Sequence, residues 1–170
     1  MAELEITLGE AIGREIARRI RLITLANGQR ISSASVTRTD RNPAEADPMP
    51  FVTIQEASDR YRMVQVGGKT TVDAEIPIVV AVDRAVDEEK PRALRDLWLR
   101  IYRALMFDEG VCTAKLGRLV TSIEPMDFLP AIPGAESPRV TGRFGFRVTY
   151  QFPTADPTAI PSDFREVNPW

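Results

Sequence analysis

From Val140 to Phe152 the chain reads V-T-G-R-F-G-F-R-V-T-Y-Q-F. Val140, Phe144, Phe146, Val148, Tyr150 and Phe152 share one parity, while Thr141, Arg143, Arg147, Thr149 and Gln151 share the other. A period of two over this length predicts a strand with one dry face and one wet face. Lys69 to Val82 repeats the pattern, with Val72, Ala74, Ile76, Ile78, Val80 and Val82 on one parity. Each dry face requires a cover, and two stretches with helical spacing can supply it. In the first, Leu8, Ile12, Ile16, Ile20 and Ile23 recur behind Thr7-Leu8-Gly9-Glu10, a capping-box sequence, and Asn27-Gly28 offers a left-handed stop. In the second, Leu94, Leu97, Trp98, Ile101, Leu105 and Met106 form a stripe that opens at Asp87-Glu88-Glu89-Lys90-Pro91 and stops near Asp108-Glu109-Gly110.

Shorter strands are predicted at Ser33 to Thr39, Phe51 to Gln55, Arg60 to Val66 and Leu119 to Phe128. Gly67-Gly68 reads as the turn of a β-hairpin, because glycine reaches positive φ without a Cβ clash. Pro77 cannot donate to a ladder, so it marks a bulge or a solvent-side edge position. Asp40 to Pro50 and Leu129 to Pro138 read as proline-bearing loops, and Pro153 to Trp170 as a proline-rich arm without periodicity. The order of helix, four strands, helix and two strands lacks strict β-α-β alternation. It predicts an α+β fold: a mostly antiparallel sheet with two main helices on one face, a protruding hairpin and a C-terminal arm. The expected division is a domain over residues 1–152 and an arm over 153–170.

Length and composition fit one globular domain: 170 residues, 44% hydrophobic and 27% charged. The net charge of −2 argues against a dedicated nucleic-acid binder. The sequence has no histidine, which removes the commonest general base and metal ligand and every Ser-His or Cys-His pair within the chain. Cys112 stands alone, so no intrachain disulfide forms, in keeping with a reducing compartment. Met1 to Glu5 is acidic and unlike a secretory signal, and a soluble protein made in a cytoplasm is expected.

Each chemical motif has a plainer reading beside it. Asp87, Glu88 and Glu89 suit a helix start better than a metal or acid/base cluster; Asp108-Glu109 lies just past a helix end, and magnesium between subunits stays open there. Gly67-Gly68-Lys69-Thr70 shares its last letters with a phosphate loop, but Met63 stands where the earlier glycine is required, so the hairpin turn is preferred. Arg14, Arg18, Arg19 and Arg21 read as a solvated or subunit-facing side of the first helix more readily than as a nucleic-acid contact. Cys112 reads as inert rather than nucleophilic. Phe164 and Trp170 are either inconsequential or anchors for a partner.

Taken together, the helix Ile6 to Ala26, Phe51-Val52-Thr53-Ile54 after its proline loop, the hairpin Tyr61 to Val82, the helix Ala93 to Met106 and the closing Phe146-Arg147-Val148-Thr149-Tyr150 resemble the tail terminator (tail completion) proteins of long-tailed bacteriophages. The resemblance is one of size, element order and strand texture and covers about Ile6 to Phe152; the segment after it is longer than such proteins usually carry. It implies a non-enzymatic subunit without cofactor or catalytic residues. Such a subunit forms a ring, typically a hexamer, that caps the tail tube, ends its growth and offers a docking surface to the head. Its partners would be itself, the tail tube protein and a head-tail connector or neck protein. Genomic DNA would pass through the channel without specific binding, and the protein would lie in the virion at the neck after synthesis in the host cytoplasm. Contacts are expected at Val66, Gly67, Gly68, Lys69 and Thr70, in the loop Asp40 to Pro50, and at Phe164 and Trp170 of the arm. The competing readings are a neck adaptor, a tail tube or baseplate component, and a small α+β enzyme.

Overall fold

A computed structural model describes residues 7–25, 28–38, 49–55, 62–83, 90–131, 139–166 and 169. The described elements are helices α1 (Leu8–Arg21) and α2 (Lys90–Met106), and strands β1 (Val36–Thr37), β2 (Phe51–Ile54), β3 (Arg62–Val66), β4 (Lys69–Asp83), β5 (Phe107–Asp108), β6 (Val111–Cys112), β7 (Ser122–Pro125), β8 (Leu129–Ala131) and β9 (Arg139–Pro153). The main sheet runs β1-β2-β4-β9-β7, with β3 also beside β4 and β8 also beside β9. Every pairing in it is antiparallel except β1 with β2. The fold is α+β.

The two long strands carry the architecture. β4 and β9 pair without interruption from Lys69↔Pro153 to Asp83↔Arg139. Their dry parities fall on the same face, and Val72, Ile78, Val80, Phe144, Phe146 and Val148 are buried there. The helices cover this face. Gly142 of β9 shows how closely α2 approaches: a Cβ there would stand 2.9 Å from Leu94 Cδ2 and 3.0 Å from the Phe128 ring. Leu8, Ile12, Ile16, Ile20 and Ile23 of the α1 stripe are all buried, each contributing roughly 1.5–3 kcal/mol relative to exposure. The wet face is laced by cross-strand pairs, among them Thr149 Oγ1 donating to Asp73 Oδ1 at 2.7 Å and Gln151 Nε2 to Thr71 Oγ1 at 3.0 Å.

Several local expectations change. Only half of the capping box forms: Thr7 Oγ1 accepts from Glu10 N, but the Glu10 carboxylate is held by Arg14 and Arg38. α1 ends at Arg21, ahead of Asn27-Gly28, and Gly28 serves a tight turn in which Leu25 N donates to Gln29 O and Ile31 N to Ile23 O. Ser33–Ser35 coils into a 3-10 turn before the two-residue β1. Of the strand predicted over Leu119 to Phe128 only Ser122–Pro125 forms, after a 3-10 turn at Leu116–Arg118. Leu129–Ala131 leaves the predicted loop to pair with β9. Pro77 makes no bulge. Its carbonyl accepts from Gln55 N just past the end of β2, and its nitrogen faces the same side, where the return bond is missing. The predicted acidic helix start at Asp87, Glu88 and Glu89 lies outside the described residues.

Candidate assembly surfaces

Gly67 and Gly68 both have positive φ, +61° and +75°, as a two-residue hairpin turn requires. Around them Val66 is 73% exposed and Lys69 is exposed. The predicted contact set divides here. Thr70 is buried, its hydroxyl 3.0 Å from that of Thr154, and Gly68 O accepts from Thr154 N at 2.9 Å. Because β9 follows β4 to Lys69, the tip ends as a three-stranded blade. Of the loop Asp40 to Pro50, residues 40–48 lie outside the described residues.

The segment after β9 returns to the body. Leu8 N donates to Pro157 O at 3.0 Å, Arg118 Nη1 pairs with Asp163 Oδ2 at 2.8 Å, and Arg165 N donates to Gly117 O at 3.1 Å. Phe164 packs half-buried against the core of its own chain. Trp170 lies outside the described residues. No periodicity announces such docking, because it depends on isolated backbone groups contributed by Gly117 and Leu8.

The arginines of α1 do not share one environment. Arg14 is 60% exposed, whereas Arg19 is fully buried. Arg19 donates to Glu15 Oε1 at 2.7 Å, Phe107 O at 3.0 Å, Ala104 O at 3.3 Å and Asp108 Oδ1 at 2.6 Å. A cation here also suits the negative end of α2, whose last carbonyls lack helical partners. The Asp108 carboxylate further accepts from Thr113 Oγ1 and from Gly117 N. A sequence reading that places these arginines on a solvated side is thus corrected for Arg19. It sits at helical spacing between Ile16 and Ile23, inside the apolar stripe, which is the signal that could have found it.

At the other end of α1, both nitrogens of the Arg38 fork reach the Glu10 carboxylate, at 2.6 and 2.7 Å. The Arg38 hydrogen bond, assisted by Arg14 and opposed by partial burial, lowers the Glu10 pKa from 4.5 to about 2. The stability this provides is full above pH 4.5 and is lost as pH falls through that value towards about 2. Glu10→Gln is therefore expected to lower the thermal midpoint at neutral pH and to converge with the parent in acid, as thermal melts over a pH series will show. Beside this pair lies a cleft of about 390 Å³, lined by Ile12, Ile54, Val72, Ala74, Tyr150 and Phe152. Among the described residues no three His, Cys, Asp or Glu side chains gather as a metal cage, and Cys112 is exposed. No described helix is long and apolar enough to cross a membrane.

No protein-family model and no curated protein sequence matches the chain. The fold has a counterpart in a virion. A chain of the virion of a native gene transfer agent particle superposes with a TM-score of 0.57, covering 83% of this chain and 95% of that one. Identity is 9%, so the likeness is one of fold.

Proposed function

We propose that this chain is a structural subunit of a phage-like virion, acting as a tail terminator: a ring, a hexamer by the family resemblance, that caps the tail tube, stops its growth and receives the head. The fold shared with a virion chain over nearly its whole length carries this reading. Two of the exposed apolar side chains support it. Val66, 73% exposed, and Leu129, 65% exposed, belong to β3 and β8, on opposite sides of the β4–β9 pair. A head-to-tail ring needs two such different surfaces, one for each neighbour. In this reading residues 1–152 form the body and 153–170 an arm. The protein works by contact, without cofactor or metal. It binds copies of itself, the tail tube protein and a neck or connector protein, and lets DNA pass.

Native mass measurement of the purified protein is expected to show a closed oligomer of defined size, and adding it to polymerising tube subunits should shorten the tubes. A monomer at all concentrations, together with absence from particles, defeats the proposal; long homopolymers favour the tube-subunit reading instead. Replacing Val66 and Lys69 with aspartate and glutamate, at exposed positions, is expected to abolish the oligomer while leaving the circular dichroism spectrum and melting unchanged.

A further inference from the structure

Between α1 and the returning arm runs a second cleft, of about 580 Å³, within the roughly 300–1,000 Å³ range of pockets that hold ligands. Its apolar lining is Ala11 and Ala17 of α1, Leu119, and Ile160 and Phe164 of the arm. Ile160 remains 42% exposed, so the arm bridges the helix without filling the space beneath it. Arg14, Arg18, Arg21 and Arg38 also line it, against Glu15 and Glu166. Glu15 is already bonded by both Arg18 and Arg19. The α1 arginines are spaced four and three residues apart, which sets them in a row along one side of the helix. Arg14 and Arg38 share Glu10, and Arg18 is paired with Glu15, so with Glu10 counted beside Glu15 and Glu166 the cleft combines an apolar lining with a small net positive charge.

An extended segment alternating acidic and apolar residues matches both properties, since its two parities would face lining and arginines separately. Glu3-Leu4-Glu5-Ile6 has this alternation. We propose that the cleft is a subunit contact that receives this acidic segment from a second copy, with Leu4 and Ile6 against the apolar lining and Glu3 and Glu5 against the arginines. This inference rests on the reading of the chain as a self-assembling subunit, and names one of its contacts.

The test mixes two full-length proteins, both carrying Cys112→Ser: one with Leu4→Cys, the other with Ile160→Cys. Mild oxidation is expected to give a disulfide-linked pair in the mixture. The yield should fall between 0.1 M and 1 M salt, as the screening length drops from ~10 Å to ~3 Å. Adding Glu3→Lys and Glu5→Lys to the first protein, which leaves the described body untouched, should reduce cross-linking at least tenfold. Arg14→Glu with Arg18→Glu in the second should restore it. An oligomer of unchanged size that forms no cross-link overturns the contact but leaves the ring reading standing. Closure only within one chain, in a Leu4→Cys/Ile160→Cys double variant, likewise overturns it. Failure of the parent protein to self-associate overturns both.

Discussion

Arg19→Ala should be the most damaging single substitution in the chain, lowering unfolding stability by about 3–5 kcal/mol, the usual cost of removing one partner from a buried ion pair. The cause is what remains rather than what is lost. Asp108 would lose its arginine partner, Glu15 would be left to Arg18, and the carbonyls of Ala104 and Phe107 would lose their donor. Urea titration gives the measurement. Two companion variants isolate the mechanism. Arg14→Ala removes an arginine of the same helix that is 60% exposed, and should change stability by less than about 1 kcal/mol. Adding Asp108→Asn to Arg19→Ala should recover part of the loss, because a neutral side chain is cheaper to bury than a charge without its counter-ion. Equal effects at Arg14 and Arg19 would mean that the buried network does not form.

Gly117→Ala should free the arm before it unfolds the body. Gly117 has φ +64°, and a Cβ there would stand 2.1 Å from the carbonyl oxygen of Arg165. Backbone strain alone costs an L-residue roughly 1–2 kcal/mol in this region. The collision adds the loss of the Arg165–Gly117 hydrogen bond and of the Phe164 docking beside it. Limited trypsin digestion should therefore cut at Arg165 much faster than in the parent, under conditions where the body is still protected. Gly28→Ala is the matched control: its φ is +80°, but nothing lies within 4 Å of the added Cβ, so only the strain is felt. If both variants leave cleavage at Arg165 unchanged, the arm is not held at Gly117.

The parts of this fold that sequence discloses are those whose signal repeats. β4 and β9 are legible because a period of two persists over each strand whatever lies beside it, and their buried residues follow the expected parities. The α1 and α2 stripes are legible for the same reason at helical spacing. What stays hidden is set by single residues in unusual conformations or by distant partners. Ala114, Leu116 and Arg118 adopt positive φ although none is glycine, so nothing in their side chains announces the turns there. Leu129–Ala131 is too short for a pattern and becomes a strand only because β9 offers it an edge. Of the predicted contact residues, Val66 and Lys69 are placed outward by the glycine turn between them. Thr70 is turned inward by the pleat, and Phe164 is drawn onto its own chain through a backbone bond no sequence pattern encodes.

The uninterrupted pairing of residues 69–83 with 139–153 has a consequence for biogenesis. β4 leaves the ribosome more than fifty residues before β9 can begin to join it. Through that interval the nascent chain carries a long alternating apolar strand whose principal edge has no mate. Pairing across such a sequence separation is slow because the intervening loop must first be closed, and open strand edges attract one another between polypeptides. Expression at reduced temperature or with abundant chaperones is accordingly the condition in which this protein should be recovered in folded form.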